Sequence, residues 1–391
     1  MLWRRRHHDT APVSPAADAA PRSQDDRAGL GRGLRTVIGL ACAVVIAFGC
    51  ARFAPIIGPT VLALVVTICV QPARVFLERL GFARSLASAV VIVIVLVVTV
   101  AFTAALVISL AQFATLFPQY SDQFADLEQS VANGLESLGV GPEQVAAVFA
   151  TFDPGKIVGV VSGLIGSVFG FGFSTFLVLS LIVFMTLDAG WGHLIAGRLR
   201  PARPGLVEAL VAYTVSVRRY MLVTALLGAA VAALDALALV LLGIPGALLW
   251  GLLAFITGFI PNIGYWIGLI PPAFLALLAF GWPTALAVIV VYAVINGVIQ
   301  SGLQPHITGS AVSLNQTISF LSVVVWSALL GPLGAILALP LTLLVRALLV
   351  DANPDARWMR PALGDLSGFT PAKRRQRDRT STAAPTNTGS V

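Results

Sequence analysis

Asp235 stands in Ala232-Ala233-Leu234-Asp235-Ala236-Leu237, well inside an apolar run, and no other acid is so placed. An ionised group at bilayer depth costs about 3 kcal/mol or more, so by default it faces other helices and marks chemistry. That chemistry is a protonatable or cation-coordinating carboxylate. A structural acid, hydrogen-bonded to a neighbouring helix or wetted near the outer interface, fits the same sequence. Asn296 and Gln300 share one helical face at a spacing of four, with Gln304 a turn further on. Each carboxamide offers donors and acceptors, so the stripe could line a path for a polar solute. Hydrogen bonding between helices is the other use of such residues in membranes. Asn262, in Pro261-Asn262-Ile263-Gly264, carries the same two readings. His306 could titrate near neutral pH, but its loop-like setting argues against a proton relay.

The elements that must position these residues are unusual. From Phe259 to Leu344 the chain is apolar yet repeatedly interrupted. The interruptions are Pro261 to Gly264, Gly268 with Pro271-Pro272, Pro305 to Gly309, Asn315, Gly331-Pro332-Leu333-Gly334, and Pro340. Irregular backbone at membrane depth is tolerated where protein buries it or where it lines a wet cavity. The composition requires a membrane: 57% of the 391 residues are apolar and 11% are charged, against roughly 25% charged in a soluble domain. The predicted fold class is all-α, a polytopic transmembrane bundle with broken, re-entrant hairpins.

Apolar runs place spans at 36–51, 56–70, 86–113, 156–188 and 221–243, with Arg52, Pro55 and Pro59 marking the first turn. Segment 34–113 is thus read as three membrane helices and 157–187 as one long helix. Between them, 114–156 holds Asp122, Asp126, Glu128, Glu136, Glu143 and Asp153 and no Lys or Arg before Lys156. Its apolar spacing predicts an amphipathic helix outside the membrane. Arg74, Arg79 and Arg84, and then Arg198, Arg200, Arg203, Arg218 and Arg219, fall in alternate connections. By the positive-inside rule both termini are cytoplasmic, in a multi-pass protein of the inner (cytoplasmic) membrane. Within 188–220, Pro204 to Tyr220 reads as an interfacial helix. Parity leaves one net crossing in 221–350 after the fifth span. Two hairpins, with a tip at Pro261–Gly264 and a break at Gly331-Pro332, around one crossing at 284–303 satisfy it. The ends, 1–33 and 351–391, are polar and expected to be disordered. No apolar stretch directly follows Arg4-Arg5-Arg6, so a cleaved signal peptide is not expected.

The net charge of +7 sits mostly in tails and connections, and nucleic acid is not an expected partner. Cys42, Cys50 and Cys69 lie in apolar runs without metal-binding spacing. No cofactor or metal is expected, and no nucleophile or nucleotide motif supports an enzyme. Gly159, Gly163, Gly166 and Gly170 form small-residue ladders suited to close helix packing.

The ordered set Pro261-Asn262-Ile263-Gly264, Gly268, Pro271, Pro305-x-Ile307-x-Gly309, Leu314-Asn315, Gly331-x-x-Gly334 and Pro340-Leu341 resembles the AI-2E family transporters, the PerM-like permease group. Trp326, Gly331 to Gly334 and Val350-Asp351-Ala352 look like its actinobacterial branch. The likeness runs from about Leu34 to Leu349 and is sharpest after Met221. It implies an oligomeric inner-membrane exporter or permease; members are linked to autoinducer-2 export, others to sodium–proton antiport. Many relatives carry a Glu shortly before the Pro305 motif, where this chain has Val298-Ile299-Gln300. Cation coupling there is in doubt, and Asp235 is the alternative. The expected function is export of a small polar solute. Monovalent cation–proton antiport and a non-transporting scaffold are the alternatives. Membrane lipids, the solute or ion, and further copies of the chain are the expected partners.

Overall fold

The computed structural model describes residues 32–136, 172–303 and 314–364, with isolated positions at 143, 144, 147, 159 and 163. Both far tails lie outside the described residues, as do Gln304, Pro305, His306, Gly309, Gly166 and Gly170. The described residues are helical apart from turns and short connections. In order, the helices are α1 (Arg32–Arg52), α2 (Ala54–Arg79), α3 (Arg84–Leu116), α4 (Ser121–Glu136), α5 (Gly172–Leu199) and α6 (Pro204–Leu241). There follow α7 (Ala247–Thr257), α8 (Gly264–Phe280), α9 (Trp282–Asn296), α10 (Gln316–Leu330), α11 (Pro332–Ile336) and α12 (Ala338–Arg346). The chain divides into two compact units, 1–48 and 49–391; the second holds everything described below.

Among the described residues four helices are long and apolar enough to cross a membrane: Ala54–Arg79, Arg84–Ser109, Pro204–Leu241 and Trp282–Gln300. The chain is a multi-pass, all-α membrane protein. Two arms of the broken block are shorter. Helices α7 and α8 have 11 and 17 residues, about 16 and about 26 Å at 1.5 Å per residue. Both fall short of the roughly 30 Å hydrocarbon core. They pack on each other through Gly268, where an added Cβ would sit 3.4 Å from the Ala254 Cα. The second hairpin pairs α10 with α11 and α12. Gly331 (φ 67°) makes its turn and Pro332 opens α11, as a left-handed position and a first helical turn respectively favour. The Trp326 indole Nε1 donates to Thr342 Oγ1 at 3.0 Å, tying the arms.

Several boundaries differ from those expected. Helix α2 begins at Ala54, so Pro55 lies in its first turn and Pro59 inside it. Pro271 and Pro272 likewise lie inside α8 rather than at a break. The apolar part of α5 ends at Asp188 as expected, but the helix itself runs on to Leu199. The segment read as an interfacial helix and the fifth span form one 38-residue helix, α6. Its length is about 57 Å, so it projects well beyond one hydrocarbon thickness. Tyr213 and Val217 on its N-terminal half do not lie on lipid. They are buried against Val61 and Val65 of α2 and against Leu339, Leu341 and Leu343 of α12. Residues 351–364, expected to belong to a disordered tail, form short helical turns. Arg346 and Arg360 pair with Asp351 at 3.3 and 2.7 Å, and short 3₁₀ turns follow at Pro354–Met359 and Pro361–Leu363.

Helices in lipid gain no hydrophobic driving force from meeting each other, so packing and interhelical hydrogen bonds hold the bundle. Arg74, 5% exposed, illustrates this. Its Nη1 donates to the Thr186 carbonyl of α5 at 3.0 Å, and its Nε donates to Glu78 at 3.0 Å. On the opposite flank, Phe124 of the amphipathic α4 meets Phe274 of α8 edge-on, with centroids 6.2 Å apart. Helix α4 of the acidic segment is therefore docked on the first hairpin. Of the glycine ladder, Gly159 and Gly163 are isolated described positions, and Gly166 and Gly170 lie outside the described residues.

Candidate functional site: a polar cavity between α6, the first hairpin and α9

Along α6, Tyr220, Thr224, Leu227, Gly228, Val231 and Asp235 recur at spacings of four, three, one, three and four. That is one face of a helix. This face forms one wall of a cavity of about 580 Å³. Ala254, Thr257 and Gly258 of the α7 end, the tip residues Ile260, Pro261 and Asn262, and Gly264, Tyr265 and Gly268 of α8 form the second wall. Tyr292, Asn296 and Gln300 belong to the third, and Leu339 reaches in from α12. Asp235, Asn262, Asn296 and Gln300, picked out in the sequence for their polarity, thus face one space. Gln304 lies outside the described residues.

The hairpin tip is built from its own backbone. The Ile260 N–H donates to the Thr257 carbonyl (2.8 Å), Ile263 to Pro261 (2.8 Å) and Gly264 to Ile260 (3.0 Å). This satisfies the polar groups that a bare membrane break would leave exposed. Asn262 sits at φ 65°, a left-handed conformation that Asn adopts more readily than most residues. Gly264 is required by space: an added Cβ would run into the Thr257 carbonyl oxygen. Gly334 has the same constraint against the Trp326 carbonyl. Ile260 and Ile263 of the tip pack with Val323, Ala335 and Ala338 of the second hairpin, and Gln316 Nε2 donates to Asn262 Oδ1 at 3.2 Å. Asn315 caps α10, its Oδ1 accepting from the Ile318 N–H at 2.7 Å.

On α9 the carboxamides form a relay rather than a free stripe. Gln300 Nε2 donates to Asn296 Oδ1, and Asn296 Nδ2 donates to the Tyr292 carbonyl, both at 2.9 Å. At Gly297 the helix changes to a π-helix that runs to Leu303, an irregularity often found at functional sites. Asn296 is buried, whereas Gln300 and Asn262 are exposed, so the cavity has a polar mouth and a closed inner end.

Asp235 occupies that inner end and is 1% exposed. Asn296 is its neighbour, and one of the two Asn296 amide hydrogens is directed to the Tyr292 carbonyl. Neither Asp235 carboxyl oxygen has a hydrogen-bond partner, and the buried Tyr292 hydroxyl has none either. Tyr265 and Tyr292 line the same cavity as the carboxyl. Among the described residues, the lining includes no Lys, Arg or His. Thr224, Thr257 and Tyr292 had not stood out in the sequence. Their only signal is the periodicity with Asp235 and Asn296, since each alone is an ordinary residue at a helix contact. No group of His, Cys, Asp and Glu among the described residues could hold a metal ion.

Short broken helices closing around a polar, partly open cavity define a membrane transporter or permease. A family model described as AI-2E family transporter matches residues 37–353, and the chain belongs to that family. It is similar to the AI-2 transport protein TqsA of Escherichia coli K12, with 30% identity over 348 residues covering 86% of this chain and 97% of that protein. The putative transport protein YhhT of the same organism is 28% identical over 319 residues, covering 79% and 88%. A putative transport protein of Haemophilus influenzae is 25% identical over 351 residues, covering 86% and 97%.

Proposed function

We propose that this chain is a secondary transporter of the cytoplasmic membrane that moves a small polar solute through the cavity, with both termini inside. The observation that carries this reading is the convergence of Asp235, Asn262, Asn296 and Gln300 on one space of about 580 Å³. Such a volume suits a small molecule. Phenols, threonines and carboxamides offer both donors and acceptors, which fits a hydroxyl-rich or otherwise polar solute. The lack of a cationic side chain in the described lining disfavours anionic solutes. With Arg218 and Arg219 inside, the mouth near Tyr220 and Asn262 belongs to the cytoplasmic half, as loading for export needs. The two short arms of the first hairpin enter from the outer side and return, which keeps the charge parity. Membrane lipids and further copies of the chain surround this unit.

One relative is named for AI-2 transport, which makes AI-2 the first probe. Inverted vesicles from cells producing this chain should accumulate AI-2, or another neutral polar solute from a panel of similar size, above vesicles lacking it. Movement of no solute under any imposed gradient would end this reading.

A further inference from the structure

Asp235 presents a charge problem that the solute path alone does not solve. Its carboxyl is 1% exposed, and both oxygens lack a partner. The groups able to titrate that share its cavity are the phenols of Tyr220 on α6, Tyr265 on α8 and Tyr292 on α9; α7 contributes none. On its own helix the nearest charged residue is Arg219, 16 positions away, about 24 Å along the axis. Glu208 and Arg218 are farther still. The charged groups on other described elements packed against α6 are Arg74, Glu78 and Arg79 of α2, Asp188 and Arg198 of α5, Arg346 at the end of α12 and Asp351 just beyond it. They belong to the far, N-terminal end, where Tyr213 and Val217 are buried. An ionised carboxylate at this point would have no counter-charge among the residues lining the cavity, an arrangement that low-dielectric surroundings penalise. A carboxyl that carries its own proton is electrically neutral. It then becomes a hydrogen-bond donor, with the Tyr292 hydroxyl and the second lone pair of Asn296 Oδ1 as acceptors nearby.

We propose that Asp235 is the proton-carrying residue of this transporter: it is protonated in the closed-ended state seen here, and it releases that proton in the state whose inner end is open to water. The proton binds a carboxylate oxygen on loading and leaves to water on release, so no further reactant is needed. Asn296 is the positioning residue through which this exchange reaches the mouth. Its Oδ1 already accepts from Gln300 on the π-helical segment, and its second lone pair is free to accept from a protonated Asp235. One amide oxygen thus links the inner end to the mouth. Only the coupling half of this proposal depends on the cavity being a solute path.

Infrared difference spectroscopy of the full chain in liposomes tests it without a substrate. With ¹³C-carboxyl aspartate incorporated, a protonated aspartic acid carbonyl band should be present near neutral pH and should vanish as the pH is raised. Asp235→Asn should lack the band, and Asp235→Glu should restore an unlabelled one. An unchanged band from acid to alkaline pH would make Asp235 a structural acid, and no protonated band at any pH would mean it is always ionised. Loss of the band on adding sodium at constant pH would assign the site to a metal cation instead. Each of these three results overturns the proposal, whether or not AI-2 is transported. If AI-2 does move, wild-type vesicles should show matching proton movement, and Asp235→Asn vesicles should show none.

Discussion

Gln316 at the head of α10 donates its Nε2 hydrogen to Asn262 Oδ1 at 3.2 Å, joining the tip of the first hairpin to the start of the second across 54 residues of sequence. Asn262 also holds φ 65°, so one residue supplies both the shape of the first tip and its tether. The two roles separate by substitution. Asn262→Gly keeps the left-handed turn and loses an exposed hydrogen bond, a loss of about 1 kcal/mol. Asn262→Ala loses the bond and also puts in the left-handed region a residue that tolerates it less well than Asn, about 1 kcal/mol more. Unfolding of the detergent-solubilised variants should therefore rank wild type above Gly above Ala. Equal stability of Gly and Ala would show that the turn conformation does not matter.

Glycine positions in the hairpins divide sharply by what surrounds them. Gly264→Ala and Gly334→Ala each push a Cβ into a carbonyl oxygen of the facing arm, a backbone clash that no rotamer relieves. Overpacking of this kind costs about 3 kcal/mol or more, and both variants should fail to give a monodisperse protein on gel filtration. Gly297→Ala meets nothing within 4 Å and should purify like wild type. A well-behaved Gly264→Ala protein would contradict the tip geometry.

Arg74 links α2 to α5 through a fork that a lysine cannot copy, since an ammonium lacks the two divergent N–H arms. Arg74→Lys should lower stability by about 1–3 kcal/mol, because one of the two hydrogen bonds, to the Thr186 carbonyl or to Glu78, is lost from a buried site. Glu78→Gln should cost less, as the Thr186 contact survives and Glu78 is 29% exposed. Melting temperatures of the three purified proteins decide between these. A neutral Arg74→Lys would mean that charge alone, not the fork, is needed.

Much of the site was legible in the sequence because polar residues stand out in apolar runs. Asp235, Asn296 and Gln300 are conspicuous for that reason, and Pro261 to Gly264 marks a tip because a membrane helix tolerates few such clusters. Tyr292, Thr224 and Thr257 were not legible, since nothing in their own types distinguishes a cavity wall from a helix contact. The π-helical change at Gly297 has no compositional mark either; it adds a residue per turn without altering hydropathy. Continuity of α6 was hidden for a different reason. Arg218 and Arg219 end a hydrophobic run, but charge does not break a helix, and Pro204 at its start is the true stop signal. Pro59, Pro271 and Pro272 misled in the reverse sense, as helix breakers that sit inside membrane helices, where neighbouring groups re-satisfy the backbone.

The central claim is that solute passes through the cavity whose mouth holds Gln300. The direct measurement is transport of AI-2 into inverted vesicles by Gln300→Cys in a background with Cys42, Cys50 and Cys69 replaced by serine, before and after a membrane-impermeant thiol reagent. The account predicts that this variant transports, that the reagent labels it from the cytoplasmic face, that labelling stops transport, and that AI-2 slows labelling. A fully labelled protein that transports at its original rate would contradict it.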